Sequence, residues 1–427
     1  MKTILLSLNE VNFSFINTYI SKGFLKNFQN FLSQNDVVTT LSEKEFKNQE
    51  PWIQWVSLHT GKKLSEHKIY RLGDIEKLDY PQVFEEIENK GKSLGLIFPF
   101  NTSNRLKSSK YFIPDPWTET KFTADNSLER FFQLIRKLVN SNAHGKINFS
   151  DYLKLLFGFI KYVPIKNWLG YLDYFPIIKL PGIKAVILDN ILADIFIDFQ
   201  KKATTDFSNL MLNACAHTQH HFFFNSGAYA GKNKNPEWYC PSNHDPILHA
   251  LKLYDKILGR ILKLKDTKVI VATALSQQPH EAQTFFWRFN NHGSFAEELK
   301  LPNFKKITPR MSRDFLVEFE NESDSKYAEE ILSDFKMKRD GIKLFRLDNR
   351  GRDIFVELIY PNEILKDDIF VSNKFDIQIK NLLEKLSFVA IRNGEHNGKG
   401  YLITNFKHNL KSQIDITEVK DFILNHV

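Results

Sequence analysis

A recurring order of apolar strand, polar loop and amphipathic helix is the feature that most constrains how this chain can fold. Lys2–Leu8 is a largely apolar run that ends on Asn9 and Glu10, and residues 13–32 then carry apolar side chains at helical spacing. The order returns where an amphipathic helix leads into the apolar run 268–272. Strands separated by helices predict an α/β fold with a mostly parallel central sheet. Ligands bind at the carboxyl ends of such strands, which makes Asn9 and Glu10 candidate site residues.

The stretch from residue 50 to residue 61 places polar side chains among tryptophans just before a Thr-Gly turn. Such a mixture lines ligand pockets, because the rings supply apolar surface while the polar groups fix orientation. A tryptophan pair is also a common core feature, so simple packing is the alternative. The candidate site residues here are Glu50, Trp52, Gln54, Trp55 and His59.

The composition is that of a globular protein. The 427 residues, of which 42% are hydrophobic, allow one elaborated domain or two. The net charge of +8 is spread along the chain and is not gathered into one basic stripe. We therefore expect a lysine-rich solvated surface and no nucleic-acid partner.

The cysteine content and the apolar runs bear on the compartment. Only Cys215 and Cys240 occur, so no disulfide framework is implied and a reducing compartment fits. The first apolar run is too short for a signal peptide, and no stretch reaches the roughly 18 uninterrupted apolar residues of a membrane span. We expect a soluble, cytoplasmic protein.

Two stretches differ from their surroundings. Residues 125–205 carry apolar and aromatic side chains in helical patterns broken by prolines, which predicts a helical, cap-like insertion. Its aromatic residues with nearby lysines indicate either core packing or peripheral contact with a membrane or a lipid-linked substrate. Residues 311–365 predict a small α+β insertion, with strands at 315–319, 343–347 and 352–360 and a helix at 325–335. The lysines in the helical stretch are Lys154, Lys161, Lys166 and Lys179.

Histidines concentrate in two further places. His217, His220 and His221 follow an apolar run; on a strand, neighbouring side chains would point to opposite faces, so only some would share a site. His396 lies in the glycine-rich stretch 393–400, which we expect to be a loop that allows close backbone approach to a ligand. Gln277 lies in the predicted loop at 273–280.

The order of these motifs resembles the alkaline phosphatase superfamily, and most closely its type I phosphodiesterase and nucleotide pyrophosphatase branch. The motifs are the first strand with its polar end, the Thr-Gly turn followed by Glu66-His67, the His-x-Gln-His cluster, a Tyr-Asp helix running into an apolar strand, and the late Gly-x-His-x-x-x-Gly. The resemblance implies an alkaline-phosphatase-like three-layer fold with one domain over residues 1–427, apart from the two insertions.

Members of that family usually hold two metal ions, but most of the ligand positions are substituted here. The aspartate expected after the first strand falls on Asn9, and the nucleophile falls on or beside Pro51. Three further ligands fall on Ala216, Ala274 and Leu275, while His220 and His396 keep their histidines. The resemblance then implies no metal or a single divalent ion, zinc or manganese, at His220 and His396, with Glu10, Glu50 or His217 as candidates for a displaced ligand.

Acid-base chemistry is the role that the remaining polar residues suggest. We expect Glu10, Glu50, His220 and His396 to be catalytic, since burial and neighbouring charge push the pKa values of such groups apart. The predicted function is a divergent phosphodiesterase-like hydrolase or transferase for a phosphorylated or glycan-type small molecule. The alternative is a catalytically inactive relative that serves as a binding or scaffold protein. The predicted substrate-binding residues are Asn9, Trp52, Gln54, Trp55, His59, His217 and Gln277.

Overall fold

The computed structural model describes residues 1–140, 148–202, 205–310 and 313–427, which divide into two compact units. The first unit holds Met1–Asn140, the described residues up to Pro279, and Gly394–Val427. The second unit holds His280–Asn393. Residues 141–147, 203–204 and 311–312, which fall inside the two predicted insertions, lie outside the described residues. The division into one domain with two insertions stays a prediction.

The elements of the described residues are these. The strands are β1 (Lys2–Leu8), β2 (Val37–Leu41), β3 (Leu94–Ile97), β4 (Tyr111–Ile113), β5 (Phe207–Leu212), β6 (Thr267–Ala272), β7 (Ser276–Phe289), β8 (Phe304–Pro309), β9 (Asp314–Phe319), β10 (Lys336–Met337), β11 (Phe345–Asn349), β12 (Asp353–Leu358), β13 (Phe370–Ser372), β14 (Ile377–Ile379), β15 (Leu386–Asn397), β16 (Lys399–Thr404) and β17 (Gln413–Asp415). The helices are α1 (Phe13–Ser21), α2 (Lys26–Gln34), α3 (Pro51–Thr60), α4 (Leu64–His67), α5 (Val83–Asn89), α6 (Asn126–Asn140), α7 (Phe149–Tyr162), α8 (Leu169–Leu172), α9 (Ile183–Lys202), α10 (Ala214–Phe222), α11 (Pro246–Ile261), α12 (His292–Glu298), α13 (Glu322–Asp334), α14 (Leu382–Lys385) and α15 (Glu418–Leu424).

An eight-stranded sheet forms the centre of the first unit, in the order β17-β2-β16-β6-β1-β5-β3-β4 among the described strands. Neighbouring strands are parallel except at β16, which is antiparallel to both β2 and β6. The strands β1 and β5 are buried along almost their whole length, as continuous apolar runs require when helices cover both faces. The predicted α/β fold with a mostly parallel sheet is confirmed.

Helices of the first unit bury their apolar residues in the same core as this sheet. Trp55 of α3, Phe131 of α6, Ile195 of α9 and Tyr254 of α11 all belong to one cluster with the sheet residues. None of the described helices is long and apolar enough to cross a bilayer. Four helices, α6 to α9, occupy the described part of the range 125–205.

The second unit has its own core and its own sheets. Its described strands form a four-stranded antiparallel sheet, β11-β12-β9-β8, and a three-stranded sheet, β10-β13-β14. Alternate residues of β9 and β12 are buried, which is the pattern of a sheet with one covered face. The strands and the helix predicted between residues 315 and 360 correspond to β9, α13, β11 and β12.

Three local predictions were wrong. The histidine cluster lies on the helix α10 and not on a strand, and the carboxylate of Asp189 accepts the amide hydrogens of Asn213 and Ala214 at its start. The stretches 273–280 and 393–400 are largely strand and not loop, because β7 and β15 pair with each other. The three errors have one cause: the group that stabilises each segment is distant in the chain.

Candidate active site at the carboxyl edge of the parallel strands

The carboxyl ends of the central parallel strands lie level with one another. Leu8 of β1 is paired with Leu212 of β5, and Ser7 is paired with Ala272 of β6. The residues that follow these strands therefore emerge at one edge of the sheet, where open α/β folds build their sites. Glu10 lies at this edge, and its backbone is left-handed, with a φ of 58°. Glutamate is uncommon in that conformation, so the contacts of its side chain have to hold it there.

The Glu10 carboxylate is buried and surrounded by donors. Its Oε1 accepts a hydrogen bond from Asn9 Nδ2 at 3.0 Å, and its Oε2 accepts one from Gln277 Nε2 at 2.5 Å. The same Oε2 lies 3.0 Å from His220 Nε2 and 3.2 Å from His396 Nε2. Burial alone would raise the pKa of the carboxyl, but the two imidazoles hold that pKa well below its ordinary value.

His396 lies between two carboxylates. Its Nδ1 is 3.2 Å from Glu50 Oε2, on the side opposite to the nitrogen that faces Glu10. Burial lowers the pKa of the imidazole, but the charges of Glu10 and Glu50 raise it to about 10. The two carboxylates thus favour the charged form of His396. Its buried Nε2 has no partner of hydrogen-bond geometry among the described residues.

His220 reaches the site from α10. The ring centroids of His220 and His396 are 5.1 Å apart, at an interplanar angle of 78°. The side chain of His220 is partly exposed, whereas that of Glu10 is buried. The site thus has a buried carboxylate at its base and a histidine that solvent reaches.

A close backbone approach brings His396 into this arrangement. A Cβ atom at Gly394 would lie 2.3 Å from Gln277 Oε1 and 2.6 Å from the carbonyl oxygen of Gln219. Only glycine fits at that position without moving its neighbours. Gly394 therefore allows β15 to lie close to Gln277 and Gln219, and His396 follows it by two residues in the same strand.

Asn9 is fully engaged within the protein. Its Oδ1 accepts a hydrogen bond from Trp55 Nε1 at 2.7 Å, and its Nδ2 donates to Glu10 Oε1 and, at 2.8 Å, to Asn213 Oδ1. Trp55 is completely buried. Trp55 therefore positions Asn9, and Asn9 positions the Glu10 carboxylate.

Two residues of the 50–61 stretch are bound elsewhere. Gln54 is buried, donates to the carbonyl oxygen of Asn48 at 2.7 Å and accepts from the amide of Glu43 at 3.3 Å. Trp52 is half-buried, and its Nε1 donates to the carbonyl oxygen of Tyr70 at 3.1 Å. These hydrogen bonds fix the segments on either side of α3.

Two histidines that were predicted to bind substrate, His59 and His217, lie in different surroundings. His59 is buried against the rings of Trp55 and Phe84, with centroids 5.7 and 4.9 Å away, and burial lowers its pKa to about 3. His217 is exposed on α10, with its ring 5.0 Å from that of His221. His59 is thus a neutral core residue, while His217 lies on the surface of the helix that carries His220.

Three further polar residues complete the site. Gln219 donates from Nε2 to the carbonyl oxygen of Glu10 at 2.7 Å and accepts from the amide of Asn12 at 3.0 Å. Asn12 in turn donates from Nδ2 to the carbonyl oxygen of Gln277 at 2.7 Å. Sequence reasoning assigned no role to Gln219, Asn12 or Asn213. The position of Asn213 directly after β5 was the available signal, since Asn9 was found by the same rule.

The usual two-metal arrangement does not fit these residues. Asn9 uses its oxygen to accept the indole hydrogen bond, and the other positions mapped from the resembled family fall on or beside Pro51 and on Ala216, Ala274 and Leu275, all buried and without a ligand atom in the side chain. One group among the described residues could hold a metal ion, formed by Glu10, His220 and His396. Its ligand atoms all lie within 4.8 Å of one another.

Comparisons with known proteins give similarity in structure but not in sequence. No protein-family model and no curated protein matches the sequence. Phosphonoacetate hydrolase from Sinorhizobium meliloti 1021 matches 100% of this chain and 95% of its own, with 11% identity and a TM-score of 0.45. Murine ectonucleotide pyrophosphatase/phosphodiesterase 5 matches the same shares, with 10% identity and a TM-score of 0.45. Both of these similarities extend over the whole of this chain.

Proposed function

We propose that the protein is a hydrolase or transferase for a phosphorylated or glycan-type substrate, with a single divalent metal ion, zinc or manganese, held by Glu10, His220 and His396. The observation that carries the proposal is the convergence of two imidazole Nε2 atoms on one carboxylate oxygen, at 3.0 and 3.2 Å. One carboxylate and two imidazoles form a ligand set that catalytic zinc uses.

The distances between the donor atoms favour a metal site. Two donor atoms bonded to one tetrahedral zinc ion lie roughly 3.4 Å apart. Glu10 Oε2 lies 3.0 and 3.2 Å from the two imidazole nitrogens, which is close to that value. The buried Nε2 of His396 faces Glu10 Oε2 at 3.2 Å but makes no hydrogen bond of good geometry among the described residues. A metal ion would satisfy this atom.

The surrounding contacts are those that orient metal ligands. Metal-bound histidines usually present their other ring nitrogen to a carboxylate, and His396 presents Nδ1 to Glu50 in this way. Gln277 and Asn9 donate to the two oxygens of Glu10, which fixes the direction of that carboxylate. The ligand atoms are therefore positioned before any ion arrives.

The chain supplies the proton chemistry of the proposed reaction. When bound, a zinc or manganese ion acts as a Lewis acid toward a phosphoryl or carbonyl oxygen. Glu50 is partly exposed, whereas Glu10 is buried, so Glu50 is the carboxylate that can accept a proton from an attacking water or hydroxyl. His220, also partly exposed, is the metal-ligand candidate on the side of the site that solvent reaches.

Binding without turnover is the second candidate. The position where the resembled family has its nucleophile falls on or beside the buried Pro51 at the first turn of α3, and both ends of the Asn9 amide are engaged in internal hydrogen bonds. Both observations remove the usual covalent route and favour a binding or scaffold role if the metal site is inert.

Turnover by the parent chain separates the two candidates, and Glu50→Gln tests the proposed mechanism. The purified full chain, loaded with zinc or manganese, is assayed with nitrophenyl phosphate monoesters, diesters and glycosides. Hydrolysis that Glu50→Gln abolishes and that His217→Ala, on the exposed part of α10, leaves unchanged is expected. Activity that survives Glu50→Gln removes Glu50 from the mechanism, and a metal-loaded chain without turnover on any of these substrates favours the binding role.

A further inference from the structure

Large apolar side chains are exposed along one continuous stretch of the first unit. More than half of the exposed large hydrophobic residues described for the whole chain lie between residues 149 and 178. Phe149 and Leu169 each keep 77% of their surface exposed. These residues form what we name the 149–178 surface: Phe149, Tyr152, Leu153, Leu156, Phe157, Ile160, Ile165, Leu169, Leu172, Phe175 and Ile178.

The exposure follows from how α7 is anchored. Its exposed apolar residues recur at steps of three and four, which places them on one face of the helix. The other face is attached to α6, where Gly158 lies directly beneath the ring of Phe131 and Leu155 packs on the core. A surface helix normally turns its apolar face inward, so this helix has an apolar face without a partner among the described residues.

Positive charge accompanies this apolar surface. Lys154, Lys161, Lys166, Lys179 and Lys184 are exposed within or just after it. The stretch 149–178 contains two acidic residues, Asp151 and Asp173. Asp151 is buried and paired with Lys137 at 2.7 Å. The surface therefore combines apolar side chains with a net positive charge.

We propose that the 149–178 surface docks on an anionic lipid bilayer. Rings and aliphatic chains beside lysines are the combination with which interfacial helices enter the headgroup region. Each lysine near an anionic leaflet strengthens binding by about fivefold. A protein partner would need a matching acidic surface around an apolar centre, whereas a bilayer offers both without any specific shape. The inference is independent of the proposed function.

Vesicle sedimentation with the full chain tests this inference. The probes are vesicles of phosphatidylcholine with and without phosphatidylglycerol. Binding to the anionic vesicles that weakens as salt is added is expected, because salt screens the lysines.

Variants identify the surface and its occupant. Phe157→Ser with Leu169→Ser, and separately Lys161→Glu with Lys166→Glu, should each lower vesicle binding at least tenfold. Trp238→Ser, which removes an apolar side chain exposed elsewhere, should leave it unchanged. All of these side chains are exposed, so the variants should fold as the parent does. Absence of binding to anionic vesicles, equal binding by the surface variants, or a dimer of the chain that the Phe157 and Leu169 changes dissociate would overturn the proposal.

Discussion

Replacing Glu10 by glutamine should cost far more stability than the same change at Glu50. The Glu10 side chain is 3% exposed and lies against four polar side chains, whereas the Glu50 side chain is 29% exposed and lies 3.2 Å from His396. Removing one partner of a buried ion pair costs about 3 to 5 kcal/mol. Removing one partly exposed contact of this kind costs about 1 kcal/mol. We therefore expect the free energy of unfolding to fall about 2 to 4 kcal/mol further for Glu10→Gln.

The two variants form a matched pair. Both keep the shape of the side chain, and Glu10→Gln leaves the left-handed backbone of residue 10 equally strained, so the difference reports the charge and its contacts. Urea unfolding with a chelator present, followed by tryptophan fluorescence, suits the comparison because all tryptophans except Trp287 lie in the first unit. Equal costs, or a Glu10→Gln chain more stable than the parent, would refute the reasoning about this buried group.

Three further changes test other parts of the structure. Burial raises the pKa of Asp189 from 3.8 to about 7. Between these two pH values the folded chain keeps a proton that the unfolded chain has lost. The free energy of unfolding therefore falls as the pH rises through this window. Asp189→Asn should remove this dependence, up to about 4 kcal/mol, in urea unfolding on either side of the window; an unchanged pH slope would contradict the assignment. Gly394→Ala should lower stability by about 1 to 3 kcal/mol and weaken metal binding in calorimetry, because the new Cβ would clash with the Gln277 amide. The control Gly170→Ala should change neither, since no neighbouring atom lies within 4 Å of its Cβ position. Trp55→Phe removes the indole donor to Asn9 and should cost about 1 to 3 kcal/mol in thermal unfolding; an unaltered midpoint would show that this bond does not matter.

The sheet and its edge were predictable because they follow from local rules. Buried parallel strands have to be continuous apolar runs, and Lys2–Leu8 and the run at 268–272 are visible as such. Polar residues directly after a strand fall at its carboxyl edge, which located Glu10 and Asn9. The same rule applied after β5 would have found Asn213, which bonds to Asn9.

The directions of the side chains in the 50–61 stretch could not be predicted from the sequence. Almost every residue of α3 is buried, so its sequence has no polar face that would tell which side chains point toward the site. Glu50 precedes the helix and reaches His396, but Gln54 and His59 turn to other parts of the protein. Burial on all sides erases the periodicity on which such a prediction depends.

Contacts between distant segments account for the other errors. The start of α10 is stabilised by Asp189, which lies in another helix, so the histidine stretch has no cap of its own in the sequence. The left-handed conformation of Glu10 was likewise invisible, because glutamate gives no local signal for it. The site therefore depends on tertiary contacts that override local preference.

Metal content measured by mass spectrometry tests the central claim most directly. The full chain, purified and equilibrated with zinc or manganese and then freed of excess ion, should retain about one equivalent of metal. His220→Ala with His396→Ala should retain none, while the control His217→Ala should retain the same amount as the parent. A parent chain that holds no more metal than the double variant would contradict a metal site at Glu10, His220 and His396.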